Sequence, residues 1–283
     1  MNAVCRIHKI STVPDDRLRY AVVAAQHEGK WVFCRQKERD TWELPGGHRE
    51  PGENILDTAR RELYEETGAE EFELLPICAY SVTLDGQMQY GLLYRADIQR
   101  NGVLPEQSEM AEVIYTDVLP GNWTYPDIQP FLFLRARIQT DLVIRPATQQ
   151  DAAAICQLNR ESLGYTYPEA QTAYQLSALL VHSDHKILIA ELNGKVLGYI
   201  HGCNYDSLYN RPLKNLVGVA VGSAYRRMGI GTRLLDALEE WGQKTGAAGI
   251  RLASGSQRTA AHMFYMQRGY TDQKEQMRFI KLF

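Results

Sequence analysis

Three glutamates of this chain, Glu62, Glu65 and Glu66, occupy positions i, i+3 and i+4 of one segment. If the segment is helical, this spacing places all three side chains on one face. Like charges so placed destabilise a helix modestly, so we expect the chain to hold a cation between them. Ligation by oxygen alone favours Mg²⁺, with Mn²⁺ as a substitute. The competing interpretation is an acidic helix face that contacts only water.

The glutamates belong to the unbroken segment GHREPGENILDTARRELYEETGA, which runs from Gly47 to Ala69. It has the form Gly, five residues, Glu53, seven residues and then RELYEETGA. This form resembles the Nudix box, and residues 1–140 are similar to a Nudix hydrolase domain. The resemblance implies Mg²⁺-dependent hydrolysis of a nucleoside diphosphate linked to another group. It makes Glu62, Glu65 and Glu66 the expected catalytic and metal-binding residues.

The resemblance also implies functions for residues around the glutamates. The backbone carbonyl of Gly46, in the segment LPGG, is a further expected metal ligand. Glu53 and Arg61 are expected to hold the loop onto the helix as an ion pair, although Glu53 could also touch the metal. Glu109 either adds a carboxylate to the site or lies solvated in a loop. The segment NWTYP, residues 122–126, either stacks on a base or anchors the last helix.

A second group of residues has the pattern of a phosphate-binding turn. The apolar segment Leu216 to Val221 precedes RRMGIG, residues 226–231, and a helical stripe of Leu234, Leu235, Leu238 and Trp241 follows. Glycines at a strand-to-helix turn let backbone N–H groups surround a phosphate, and the positive end of the helix dipole points there. Such a turn by itself also occurs for purely structural reasons.

Two other segments resemble parts of GNAT-type N-acetyltransferases: LVIRP at 142–146 and AHMFYMQRGY at 261–270. Residues 141–283 therefore look like a GNAT domain, although Arg227 stands where the family commonly has glycine. The resemblance implies acetyl-CoA as cosubstrate and a small-molecule amine as acceptor. Tyr265 becomes the expected acid for the departing thiolate, the alternative being a core aromatic. The implied cofactor-binding residues are Val219, Ala220 and Val221 for pantetheine, and Arg226, Arg227, Met228, Gly229, Ile230, Gly231 and Thr232 for the pyrophosphate.

No firm general base for the acetyl transfer is visible in the sequence. Glu191 and Asp206 lie near the strand edges where the GNAT resemblance implies binding of the acceptor amine, and a relay through water is an equal alternative. For each of the two carboxylates, a solvated surface position is the favoured interpretation. His201 and Cys203, in YIHGCN, are expected to pack, because the implied direct transfer needs no nucleophile and cysteine is mostly buried and inert.

The elements that must position these residues follow from the apolar pattern. Strands are predicted at 20–25, 31–34, 72–83, 88–96 and 112–116, with turns at Glu28-Gly29 and Asp85-Gly86 and a helix at 128–138. The segment from Thr148 to Asp151 predicts a helix N-cap. Together with the resemblances, this predicts an α/β (α+β) protein. Residues 1–140 form a Nudix α/β/α sandwich with a mixed sheet, and residues 141–283 a GNAT fold with a mostly antiparallel sheet flanked by helices.

Composition excludes several other classes. A chain of 283 residues suits one or two domains, and a net charge of −3 argues against a broad surface for polymeric nucleic acid or membrane. Five scattered cysteines, with no signal sequence or membrane-spanning run, predict reduced thiols and a cytoplasmic location. We therefore expect a bifunctional enzyme acting on a nucleotide-like diphosphate and on an amine. The alternative is a Nudix domain that senses a nucleotide and regulates the acetyltransferase; the oligomeric state stays open.

Overall fold

A computed structural model of the chain describes residues 4–84 and 86–282. The backbone divides into two compact units. The first comprises 1–143, 190–197 and 222–231, and the second 144–189, 198–221 and 232–283. The domain boundary at 140/141 stays a prediction. Asp85, half of the predicted Asp85-Gly86 turn, lies outside the described residues.

The first sheet is mixed, as predicted. Its order is β1-β5-β6-β2-β3-β7, with β4 paired to β2. β2 and β6 run parallel, and the other strand pairs run antiparallel. Glu28 and Gly29, between β2 and β3, have φ of 48° and 79°, which confirms the predicted hairpin turn. The strands are β1 (Val4–His8), β2 (Leu18–His27), β3 (Lys30–Gln36), β4 (Gly46–His48), β5 (Ala69–Leu84), β6 (Gln87–Asn101) and β7 (Met110–Thr116).

Two helices, α1 (Ile55–Thr67) and α2 (Gln129–Asp141), cover the first sheet. Along β2, Ala21 and Val23 share a core with the apolar side of α1, whereas Val22 and Ala24 share the other core with α2. Because successive strand residues point to opposite faces, the two helices lie on opposite faces of the sheet. The predicted α/β/α sandwich is therefore confirmed.

The second sheet has the order β12-β11-β10-β9-β8. β10 and β11 are antiparallel, with a slip of register between His201 and Gly202. β12 pairs in parallel with β11 only through residues 214–216, so the later part of β11 extends beyond it. The strands are β8 (Val143–Pro146), β9 (His185–Leu192), β10 (Lys195–Tyr205), β11 (Leu213–Val221) and β12 (Ile250–Leu252).

Four further α-helices accompany this sheet in the described residues: α3 (Ala152–Leu158), α4 (Glu169–Leu180), α5 (Ile230–Lys244) and α6 (Thr259–Gln267). The predicted N-cap at Thr148 is confirmed, since Thr148 and Asp151 form a reciprocal capping box. The predicted stripe on α5 packs inward at Leu234, Leu235 and Leu238, which are all buried. Among the helices that the structure describes, none has the length and apolar character needed to cross a membrane.

Candidate active sites

The helix that carries the three glutamates has a defined beginning and end. The side-chain oxygen of Asn54 accepts hydrogen bonds of 3.0 Å from the backbone N–H groups of Leu56 and Asp57. At the other end, Gly68 adopts φ 75° and its N–H donates to the carbonyl of Tyr64. Both caps are favourable, so local sequence fixes where α1 starts and stops and which face its glutamates share.

The three glutamates differ in burial. Glu66 is buried and accepts a hydrogen bond of 2.8 Å from the N–H of Gly46. Glu62 lies against Gly47, where an added Cβ atom would come within 2.3 Å of its Oε1 atom. The side chain of Glu65 is 49% exposed. The structure thus brings Glu62 and Glu66 against the short strand β4 and leaves Glu65 at the edge of the group.

Arg61 connects this group to the preceding loop. Its Nε donates to Glu53 at 2.7 Å, and its Nη1 donates to Glu62 at 2.9 Å and to Glu65 at 3.0 Å. Its Nη2 also donates to the carbonyl of His48 at 2.9 Å. The predicted ion pair of Glu53 and Arg61 is therefore confirmed. Hydrogen bonding from Arg61 lowers the pKa of Glu53 to about 2.

The buried end of the group is strongly acidic. Burial raises the pKa of Glu66 well above its usual range, and the charges of Glu62, Glu43 and Glu109 raise it further. Burial also raises the pKa values of Glu62 and Glu43. Within the described residues, Oε2 of Glu43 is buried without a hydrogen-bond partner, and the nearest cationic group, Arg39, lies 3.6 Å away. These oxygen donors fit a divalent cation, since a cation would let them remain ionised.

The acidic side chains around Glu66 do not surround a single metal position in the part of the chain that the structure describes. Across residues 4–84 and 86–282, no three His, Cys, Asp or Glu side chains converge as metal ligands. Arg61 binds Glu62 and Glu65 instead, so the ligand set of Gly46 and the three glutamates stays a prediction. Sequence reasoning missed Glu43. Its position directly before the segment LPGG is the feature of the sequence that could have indicated Glu43. Its effect on the pKa of Glu66, however, depends on the fold.

The structure bears on two segments, one around Glu109 and one at residues 122–126, for which the sequence left two interpretations open. Glu109 is exposed, yet its charge acts on Glu66, whereas Glu112 pairs with Arg35 at 2.9 Å. In the segment NWTYP, Trp123 packs edge-on against Phe33 of β3 at 5.4 Å between ring centroids, and its ring centroid also lies 6.2 Å from that of Phe133 on α2. This contact favours the anchoring interpretation for Trp123.

The predicted pyrophosphate turn lies between β11 and α5. Arg227 has φ 62° and Gly229 has φ 88°. Arg227 thus occupies the left-handed region, which glycine adopts without strain, at the position where the GNAT resemblance leads us to expect glycine. Met228 and Ile230 are buried, while Arg226 and Arg227 are exposed. The turn therefore presents its two arginines to solvent and begins α5 directly after Gly229.

Tyr265 lies on α6 in an aromatic environment. Its ring centroid is 5.4 Å from that of Phe264 and 5.8 Å from that of Tyr270. Burial raises its pKa, so its hydroxyl stays protonated and able to donate. The hydroxyl of Tyr270 donates to Glu239 of α5 at 3.0 Å, and Arg268 pairs with the same carboxylate at 3.1 Å. These contacts hold the C-terminal end of α6 to α5.

A cavity of about 390 Å³ adjoins β10 and β11. Neither Glu191 nor Asp206, the two carboxylates considered as bases, lines it. Its lining residues are mainly uncharged and aromatic: Asn159, Leu163, Tyr165, Thr166, Tyr167, Tyr199, His201, Val217 and Gly218.

Comparison with known proteins separates the chain into two matches. The NUDIX domain family matches residues 15–124, and the GNAT acetyltransferase family matches residues 152–270. An RNA pyrophosphohydrolase of Bartonella henselae is 34% identical over 118 residues, which cover 37% of this chain and 68% of that protein. An N-alpha-acetyltransferase of Sulfurisphaera tokodaii is 32% identical over 112 residues, covering 37% of this chain and 65% of that protein.

Among solved structures, an aminoglycoside 6'-N-acetyltransferase of Acinetobacter haemolyticus is similar, with 19% identity and a TM-score of 0.45. The match covers 50% of this chain and 99% of that structure. Family membership rests on the sequence matches to each half of the chain rather than on this likeness. The chain belongs to the NUDIX family through its first half, its residues 152–270 match the GNAT acetyltransferase family as a second domain, and it is a two-domain enzyme.

Proposed function

We propose that the NUDIX domain hydrolyses a diphosphate bond in a nucleotide-like substrate. Mg²⁺ or Mn²⁺ would be held by Glu62, Glu65, Glu66 and the carbonyl of Gly46. The observation that carries this proposal is the buried carboxylate of Glu66, which accepts a hydrogen bond from the N–H of Gly46 and whose pKa is raised by burial and by the charges of Glu62, Glu43 and Glu109. The name of the B. henselae relative describes pyrophosphate hydrolysis on RNA, which supports a diphosphate-bearing substrate.

The protein's own contribution to this reaction is positioning. The metal, when bound, would supply positive charge for the diphosphate and lower the pKa of the attacking water. The N–H of Gly46 orients Glu66, and the absence of a side chain at Gly47 leaves room for the Glu62 carboxylate. Arg61 ties Glu62 and Glu65 to the loop through Glu53. The hydrogen bonds from Gly46 and Arg61 thus restrict the side chains of the three glutamates that would bind the metal.

We propose that the GNAT domain transfers an acetyl group from acetyl-CoA to a primary amine of a small molecule. β11 extends beyond its pairing with β12, which supports an added-strand pairing of the pantetheine amides with the backbone at Val219, Ala220 and Val221. The turn from Arg226 to Thr232 opens α5 and would hold the pyrophosphate by its N–H groups. Tyr265 would donate its proton to the departing thiolate.

Glu66→Gln tests the metal-dependent hydrolysis. The amide keeps an oxygen that can accept the hydrogen bond from Gly46 but removes the charge. We expect a loss of at least about a hundredfold in Mg²⁺-dependent turnover. Chromatography would follow the loss of each substrate and the formation of its monophosphate product, with a nucleoside triphosphate, ADP-ribose and a 5'-triphosphorylated RNA oligomer as the panel. The matched control is Glu73→Gln, an exposed position on β5, which should leave turnover unchanged.

Calorimetric titration with Mg²⁺ alone distinguishes the remaining outcomes. Weaker Mg²⁺ binding by Glu66→Gln would place Glu66 at the metal independently of any substrate. Full turnover by a folded Glu66→Gln protein would overturn the proposed site. If the wild type binds a nucleotide with Mg²⁺ but hydrolyses none of the panel, the domain is a nucleotide sensor instead.

A further inference from the structure

The cavity beside β10 and β11 contains an imidazole to which the acetyl transfer proposed above gives no function. His201 lines this cavity and pairs across the sheet with Gly218 of β11. The register of that pairing slips directly after His201. Such bulges redirect a side chain and are over-represented next to active sites. Gly218 also precedes Val219, the first residue proposed to contact the pantetheine arm. His201 therefore lies where an acetyl group and an amine would meet.

His201 is held by a second histidine. Its Nε2 lies 2.9 Å from Nδ1 of His185 on β9, and the ring centroids are 5.1 Å apart. Nε2 of His185 lies 3.8 Å from a carboxylate oxygen of Asp184. This distance is longer than a hydrogen bond, but the negative charge favours a proton on that nitrogen. In the tautomer that this charge favours, Nδ1 of His185 accepts from the Nε2–H of His201, which leaves the lone pair of His201 on its Nδ1.

The surroundings keep His201 neutral. Burial, and then the neighbouring His185, lower the pKa of His201 to about 4. The other titratable groups that line the cavity are Tyr165, Tyr167 and Tyr199, and Asp184 lies beside His185. Burial raises the pKa of Tyr199 to about 12, and its hydroxyl donates to Asn159. Above pH 5 the imidazole of His201 is therefore unprotonated and can act as a base. The residues that line the cavity include no carboxylate that could take this function instead.

We infer that His201 takes the proton of the acceptor amine during acetyl transfer and that His185 positions it. This inference rests on the acetyl transfer proposed for the GNAT domain. As the amine nitrogen bonds to the acetyl carbon, the C–S bond of acetyl-CoA breaks. One N–H proton passes to Nδ1 of His201, and the coenzyme A sulfur takes the proton of Tyr265. An amine nitrogen becomes much more acidic once it bonds to the acetyl carbon, so an imidazole of low pKa suffices.

The same cavity selects the class of acceptor. Three of its lining residues, Tyr165, Tyr167 and Tyr199, present aromatic rings, and none is a carboxylate that could pair with additional ammonium groups. Aromatic rings pack well against flat or apolar groups. The acceptor is a primary amine with an aromatic or apolar body rather than a polycation. 2-Phenylethylamine and spermidine represent these two kinds of amine as probes.

His201→Gln and His185→Gln test the inference in the full-length protein, with thiol release from acetyl-CoA as the assay. We expect His201→Gln to lower kcat with 2-phenylethylamine by about 10²–10⁴-fold and to leave the KM for acetyl-CoA unchanged. His185→Gln should lower kcat less and move the acid limb of the kcat profile to higher pH, because it removes a cause of the low pKa. His182→Gln is the control, since His182 is exposed and lies outside the cavity lining.

Three results separate the possible failures. Wild-type kcat and an unchanged pH profile in His201→Gln would overturn the assignment of His201. Faster turnover with spermidine than with 2-phenylethylamine would overturn the acceptor class. Failure of the wild type to release thiol with any amine would instead overturn the acetyl transfer itself. Should His201→Gln fail to fold by circular dichroism, the His201 ring can be titrated by NMR in ¹⁵N-histidine-labelled protein: its pKa should rise in His185→Gln, and an unchanged pKa would contradict the pairing.

Discussion

Glu66 combines a buried carboxylate with acidic neighbours. Its hydrogen bond from Gly46 favours the ionised form, but burial and three further carboxylates oppose it. Arg61 offsets part of this negative charge, because it donates hydrogen bonds to Glu62 and Glu65 as well as to Glu53. None of these three hydrogen bonds reaches Glu66. The burial of Glu66 among these carboxylates therefore supports this position for the proposed cation over the exposed part of the acidic face.

At the same scale, Tyr265→Phe should lower acetyl transfer by about 10²–10⁴-fold, because it removes the proton donor while keeping the ring that packs on Phe264 and Tyr270. Thiol release from acetyl-CoA measures the rate, and calorimetry should show acetyl-CoA binding unchanged. Tyr174→Phe, on the exposed side of α4, is the matched control. A wild-type rate across pH in Tyr265→Phe would make Tyr265 a packing residue.

At the scale of elements, β4 is a three-residue strand that places the first part of the box against α1. It pairs with β2, and Gly46 adopts φ 153° there. A Cβ atom on Gly46 would lie 2.3 Å from the backbone oxygen of Ala21, which cannot move without disturbing β2. Glycine at this position is therefore required by the sheet as well as by the orientation of its N–H toward Glu66.

Gly46→Ala should lower the free energy of unfolding by at least about 2 kcal/mol, through backbone strain and the clash with Ala21. Gly29→Ala provides a matched comparison, since Gly29 also has a positive φ but no atom within 4 Å of the added methyl group. We expect Gly29→Ala to cost only about 1 kcal/mol. Urea unfolding of both variants measures the difference, and equal costs would show that the clash is relieved by a small shift of β4.

The burial of His201, with His185 beside it, makes the stability of the protein depend on pH. The pKa of His201 is about 4 in the folded protein and about 6.5 in an unfolded chain. Between these values the unfolded chain binds a proton that the folded protein does not, so the free energy of unfolding falls as the pH falls. The slope contributed by His201 approaches about 1.4 kcal/mol per pH unit.

His201→Gln should therefore lose less stability than the wild type when the pH is lowered from 7.5 to 5. Urea unfolding at the two pH values measures this difference. The same slope in both proteins would mean that His201 titrates normally in the folded state.

At the scale of the whole molecule, the chain carries two sets of chemically unrelated groups. The carboxylates of the NUDIX domain and the turn and tyrosine of the GNAT domain share no residue. Glu66→Gln should therefore lower hydrolysis while acetyl transfer stays at the wild-type rate, and Tyr265→Phe should lower acetyl transfer while hydrolysis stays at the wild-type rate. Both assays would be run on each purified variant. Loss of both activities from either single change in a folded protein would contradict two separate sites.

Features set by neighbouring residues could be predicted from the sequence. The spacing of Glu62, Glu65 and Glu66 places them on one side of α1, and Asn54 and Gly68 limit that helix. Glu28-Gly29 supplies the positive φ values of a hairpin, and Thr148 with Asp151 supplies a cap. Helix periodicity, caps and tight turns depend on a few consecutive residues, so the sequence by itself determines them.

Only the tertiary structure decided which distant residues meet. Glu43 acts on Glu66 because Glu43 pairs with Cys34 of β3, whose thiol donates to the carbonyl of Glu66. His201 gains His185 as a partner because β9 and β10 are neighbours. The cavity draws on segments from Asn159 to Gly218, and no local pattern links them. Burial and long-range charge, which set the pKa values of Glu66 and His201, arise from packing rather than from spacing. The sequence thus determined the two families and their motifs, while the fold decided how buried each group is and what it contacts.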